Sequence, residues 1–300
     1  NGIAVIYFVV SNSAADVILA ILRFIDHPLV PTLLRHFLYD LCQHSSAARC
    51  RTIHVTEKHL NATATSALQD TGFIPSDANW WKLSISGVVE RAQLSAIIAH
   101  SSLPEQLRSS LALHDGENRD VSQIERVLSP VKIIPSGIAC FVVSIKASWA
   151  AHFFDIPIGG QLLMDLNERL HLGIEGAYYC SAANRHLSAP ARILWYVSGT
   201  GAMAIKACSH LDQIIVGTPK EVYAALRRLG VYSWKDVLAT AGGKITGKVL
   251  AFRFSRTERF VRPIDRSTMK QMEIPQPQNP RRISEEIFGT VYNLGLGASK

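Results

Sequence analysis

At 300 residues the chain exceeds one typical domain and has room for two, each able to bury a core. Its 48% hydrophobic and 18% charged residues exclude disorder as the main state. The formal charge of +7 is unevenly carried: residues 181–300 hold 18 Lys/Arg against 8 Asp/Glu, a net +10, while residues 1–180 hold 13 against 16, a net −3. An excess confined to one part of a chain points to a polyanionic partner there, nucleic acid before membrane.

In chain order, the apolar runs Ile3–Val10 and Val17–Phe24 predict a hairpin of two buried strands. Ser11–Asp16 interrupts them, no basic segment precedes them, and neither is long enough to span a bilayer. Leu29–Gln43 carries apolar residues at 29, 30, 33, 34, 37, 38 and 41, the spacing of a helix with one broad buried face. A strand over Arg51–Glu57, a helix over Asn61–Asp70, the turn Thr71-Gly72-Phe73 and a strand over Trp80–Ile85 complete a β-β-α-β-α-β order. The five cysteines are scattered with no C-x-x-C pair, and the eleven histidines are equally dispersed. They predict reduced thiols, a cytoplasmic location and no metal site.

With Asn61, Ala64 and Gly72-Phe73 at these spacings, the stretch resembles the C-terminal half of a GNAT-type N-acetyltransferase. The resemblance implies a partial α/β domain over residues 1–86, its first strands and helices either missing or upstream of residue 1. It implies acetyl-CoA as cofactor, with Leu29, Val30, Thr32, Leu33 and Asn61 where they would hold it. The residues themselves suit that chemistry poorly. A pyrophosphate loop works through converging backbone N–H groups at a helix N-terminus, and Asp26-His27-Pro28-Leu29-Val30-Pro31-Thr32-Leu33 has no Gly and two prolines without N–H. Leu68 stands where such enzymes often place a proton-donating Tyr, so no catalytic residue is assigned.

Residues 87–131 predict a helical connector, with helices at Val88–His100, Pro104–Leu113 and Val121–Leu128 around the turn His114–Asn118. From residue 132 to 300 the pattern is β-rich. Strands are expected over Ile138–Ile145, Arg192–Val197, Ile205–Val216 and Lys248–Arg262, and helices over Ser148–Phe154 and Gln161–Leu170. Gly199-Thr200-Gly201 predicts a hairpin turn. Thr218-Pro219-Lys220-Glu221 has the form of a capping box with Pro at its first helical position, Gly230 closes that helix, and Ser233 caps the next. An extended Pro/Gln-rich tail, Glu273–Arg282, leads to a short helix capped by Ser284. Gly-x-Ser-x-Gly, P-loop, dinucleotide and zincin motifs are all missing.

The aromatic strand Arg192–Tyr196, the strand Ile205–Val216, the inserted helix pair and the closing strand with Phe252-Arg-Phe-Ser255 together resemble the PUA-like superfamily of PUA, ASCH and EVE domains. The resemblance implies a β-barrel with inserted helices. On the closing strand Leu250, Phe252 and Phe254 share a parity and Arg253 takes the other, with a bend expected at Ser255-Arg256-Thr257 and a basic ridge above the sheet. Arg beside aromatic faces is how unpaired or flipped bases are held. The expected nucleic-acid contacts are therefore Arg192, Trp195, Tyr196, Arg227, Arg228, Trp234, Arg253, Arg256, Arg259 and Arg262, with RNA ahead of DNA. The function expected is a GNAT-related acyltransferase-like protein guided to RNA or a modified base, or else a non-catalytic nucleic-acid-binding protein built on a degenerate GNAT fold.

Overall fold

The structure, a computed structural model, describes residues 6–12, 16–48, 51–112, 120–154, 174–184, 186–199 and 203–297. The helix expected over Gln161–Leu170, the turn His114–Asn118 and most of the Gly199–Gly201 turn lie outside the described residues. The chain divides into two compact units, Asn1–Ser136 and Gly137–Lys300.

In the first unit β1 (Ile6–Asn12), β2 (Asp16–Phe24), α1 (Val30–Ala47), β3 (Thr52–Val55), α2 (Ala62–Asp70), β4 (Ile74–Ser76) and β5 (Asn79–Leu83) follow in order. They form a five-stranded sheet ordered β1-β2-β3-β5-β4. β2 and β3 are parallel and joined through α1, and the remaining neighbours are antiparallel. Val17 and Leu19 of β2 share a core with Ile53 and Val55 of β3, Leu34 and Leu38 of α1 and Leu68 of α2. The period of two on the strands and of four on the helix explains that grouping. At α2 the Asn61 side chain accepts the Ala64 N–H at 3.0 Å, which caps the helix. Gly72 closes the same helix at φ +87°, where an added Cβ would stand 2.5 Å from the Val127 carbonyl oxygen.

The two edges of this sheet differ. β4 is three residues long and carries Pro75, a combination that discourages further pairing, whereas β1 is seven residues without a charge and exposes Tyr7, Phe8 and Val9.

The first unit also contains β6 (Val88–Val89), α3 (Arg91–Ala99), α4 (Glu105–Leu111), α5 (Val121–Val127) and β7 (Lys132–Ile133). Val88 and Val89, expected to open a helix, instead pair in parallel with Lys132 and Ile133. The helix begins only at a capping box between Glu90 and Gln93. Non-local pairing with β7 overrides the local preference. Parts of the segment are buried. Lys82 of β5 donates to the Val127 carbonyl at the end of α5, and the wholly buried Glu125 accepts the Ile133 N–H at 3.0 Å.

The second unit comprises β8 (Ala139–Lys146), α6 (Ala147–Phe154), β9 (Glu175–Ser181), β10 (Ala191–Ser198), β11 (Ala204–Gly217), α7 (Pro219–Leu226), α8 (Trp234–Thr240), β12 (Val249–Asp265), α9 (Arg266–Gln271), β13 (Arg281–Ile283) and α10 (Glu285–Gly295). Its six-stranded sheet is ordered β13-β8-β10-β11-β12-β9, with β8 and β10 parallel. The expected barrel is not closed among the described residues. β13, at the end of the supposed tail, takes the free edge of β8, and β9 turns its outer edge to a loop, the Ala177 N–H donating to the Leu229 carbonyl at 2.9 Å. Across the gap the Tyr178 hydroxyl donates to the Ser144 carbonyl at 2.8 Å.

One face of the sheet, with α6, α7 and α8, encloses a core around Trp195. The indole lies 4.9–5.5 Å, centroid to centroid, from Phe154, Tyr178 and Phe254, and its Nε1 donates to Ser209 Oγ at 2.7 Å. On the other face α10 packs with Phe288, Val291 and Tyr292 buried, and the Tyr292 hydroxyl donates to Glu258. Among the described residues no helix is long and apolar enough to cross a membrane, and no three metal-ligating side chains converge.

Candidate nucleic-acid interface

The structure removes three of the expected contacts from the surface. Arg192, Trp195 and Tyr196 are all 0% exposed. β10 is an inner strand, so alternating residues enter two different interiors: Trp195 the aromatic core, Arg192 the layer under α10. There the Arg192 guanidinium lies 5.2 Å from the Phe288 ring and 3.9 Å from Glu285, whose carboxylate also accepts the Gly137 N–H at 2.6 Å. The phenols of Tyr178, Tyr179 and Tyr232 are buried as well. Burial pushes the Tyr179 hydroxyl up to about 12 and raises those of Tyr178 and Tyr232 as well.

The expected ridge on β12 does not form a single face. Leu250, Phe252 and Phe254 enter the core with Arg253 on the opposite side, as their alternation predicts, and Arg253 Nε stands 4.0 Å from Asp212. At Arg256 the backbone takes φ 52°, and the pairing with β11 shifts between Cys208 and His210. One extra residue in a strand exchanges the faces of everything after it. Beyond the shift Phe260 packs on Gly295 of α10 and Arg262 lies against Gly297, whereas Arg259 donates to the Phe154 carbonyl at 3.3 Å on the core side. Arg259 and Arg262 are exposed but on opposite faces.

What the structure does bring together lies at the inserted helix pair. α7 starts at Pro219 with a reciprocal capping box between Thr218 and Glu221, and α8 starts at Trp234 with one between Ser233 and Asp236. Each box engages the acidic residue. The Glu221 carboxyl accepts the Thr218 N–H at 2.8 Å, a bond that holds it below the usual carboxylate range. Asp236 accepts the Ser233 N–H at 2.9 Å. These are the two acidic residues between Val216 and Lys248, against Lys220, Arg227, Arg228, Lys235, Lys244 and Lys248, all exposed.

Lys220, Tyr223 and Arg227 follow at i, i+3 and i+7, so they form one stripe along α7 and its C-cap. At 1.5 Å per residue the two cations are about 10 Å apart along the axis. Between them Tyr223 meets Trp234 edge to face, centroids 5.7 Å apart. Trp234 remains 38% exposed. Lys220, Tyr223 and Lys248 were not among the expected contacts, although the helical spacing of the first two with Arg227 is visible in the sequence.

The expected cofactor residues are largely engaged already. Leu29 N–H donates to His27 Nδ1 at 3.2 Å, Val30 N–H to the His27 carbonyl at 3.0 Å and Leu33 N–H to the Leu29 carbonyl at 2.9 Å. Pro28 and Pro31 have no N–H. Asn61 serves as the α2 cap, and Leu68 is buried in the core.

No family model matches the sequence, and no curated protein matches it. Solved structures similar to the chain include those of the ASCH protein from Zymomonas mobilis. The unsubstituted protein shares 16% identity over 52% of this chain and 94% of its own, with a TM-score of 0.40. Two single-residue variants of it share 18% and 15%, over 52% of this chain and 95% and 97% of theirs, with TM-scores of 0.41 and 0.40.

Proposed function

We propose that the protein binds nucleic acid, RNA ahead of DNA, through the α7–α8 helix pair of a PUA-like unit whose sheet stays open. The observation that carries this reading is the stripe of exposed Lys220 and Arg227 around the half-buried Tyr223, with Trp234 against it, in a segment whose two acidic side chains are engaged in helix caps. The six cations outnumber the two capped carboxylates in this segment, and that local excess attracts phosphates, while a partly exposed ring beside them offers a surface to a base. The test is filter binding of the full chain at two salt concentrations. Replacing Lys220, Arg227 and Lys248 together by Gln is expected to weaken RNA binding regardless of sequence and to lower the log–log salt slope by about 2 to 3, at roughly 0.7 to 0.9 per phosphate contact. Unchanged binding and slope would refute the reading.

For the first unit we propose a partial GNAT-type fold without acetyl-CoA chemistry. Its strand order, with the parallel β2–β3 pair joined through α1 and antiparallel neighbours outside, supports the fold. The engaged N–H groups of Leu29, Val30 and Leu33 and the prolines between them support the lack of a pyrophosphate site. Calorimetry is expected to show no acetyl-CoA binding at micromolar concentrations. Micromolar affinity accompanied by slowed amide exchange at Leu29–Leu38 would restore the acyltransferase reading.

A further inference from the structure

We propose that the nucleic acid held at the helix pair is single-stranded, with one base stacked on the face of Trp234. This inference rests on the nucleic-acid reading of that surface and names the form of the ligand. Trp234 is the only tryptophan among the described residues that is classed with the exposed large hydrophobic side chains. Its position is not a gap in the packing. Its ring meets that of Tyr223 at an interplanar angle of 64°, centroids 5.7 Å apart, and the residue is still 38% exposed. That contact orients the ring, and the exposed part of the residue is open to a base.

A duplex cannot use that face, because each of its bases is already stacked on both sides and presents only phosphates and edges. An unpaired base can leave its neighbours and lie on the indole at small cost. The cations fit the same geometry. Lys220 and Arg227 flank Tyr223 along α7, Lys235 follows Trp234, and Lys248 lies close enough to Glu221 to lower its carboxyl further. After α8 the turn through Gly242 and Gly243 leaves open space where side chains would otherwise stand, and it carries Lys244 without an acidic residue. A strand with splayed bases can therefore follow basic groups on both sides of the ring.

The experiment titrates the full chain with a short unstructured RNA oligonucleotide and with a duplex of the same length, reading both filter retention and tryptophan fluorescence. The single strand is expected to bind more tightly and to quench the fluorescence. Trp234→Ala should weaken single-strand binding about 5- to 150-fold while leaving its salt slope unchanged, because stacking releases no counterions. Trp234→Phe should recover part of the loss, and duplex affinity should be the same in all three proteins. Equal binding of both forms, insensitive to Trp234, would overturn the single-strand inference and leave the nucleic-acid reading standing. Binding of neither form would overturn both.

Discussion

Replacing Arg192 by Met is expected to cost the C-terminal unit about 3–5 kcal/mol while leaving the nucleic-acid affinity of the folded protein unchanged. The side chain is fully buried, with Phe288 under its guanidinium and Glu285 at 3.9 Å. Removing one member of a buried ion pair leaves the other charge without compensation, and that loss exceeds what the intact pair contributes. The second replacement separates this account from simple loss of packing. Glu285→Gln keeps an acceptor for the Gly137 N–H but removes the orphaned charge, so the double variant should regain a substantial part of the stability. Urea denaturation followed by circular dichroism reads both effects. Equal stability of the single variant and the parent would mean that Arg192 reaches solvent, and would return it to the list of surface contacts.

Trp195→Ala is expected to be as severe, about 3–5 kcal/mol, because it opens a cavity at the centre of the aromatic core. It should act on the melting temperature and not on the salt slope of nucleic-acid binding. Trp195→Phe should cost much less. It keeps most of the ring contacts and loses the bond to Ser209 Oγ, which retains Thr257 as a partner at 2.8 Å. A Trp195→Ala protein that melts with the parent but binds RNA more weakly would contradict the burial described above. Paired with the Trp234 variants, the two replacements are expected to divide the tryptophans by role, Trp195 supporting the fold and Trp234 the proposed ligand contact.

The contrast between these tryptophans shows where a linear reading stops. The helix pair is legible because its determinants are local: Thr218 with Glu221 and Ser233 with Asp236 are three residues apart, and each box closes within its own first turn. The same holds for the alternation of Leu250, Phe252 and Phe254 and for the concentration of positive charge after residue 180. The alternation Arg192-Ile-Leu-Trp-Tyr196 suggests one face in a core and one in water, yet both faces are covered. That depends on β10 lying inside the sheet and on α10, nearly a hundred residues later in the chain, closing over its far side. Likewise, the bend at Arg256 is visible in the sequence, but the exchange of faces it causes depends on the pairing of β12 with β11.

The sequence by itself determined the capped helix pair, the main strands from Ala139 to Asp265 and which half of the molecule is basic, since propensity, capping and charge act between near neighbours. Only the tertiary structure decided that the barrel stays open, that Arg192 and Trp195 are interior, and that Lys220, Tyr223, Arg227 and Trp234 form one surface. Those outcomes depend on the order of strands and on which distant segment covers which face, and contacts between residues far apart in the chain are set by the packing of whole elements, not by any local pattern.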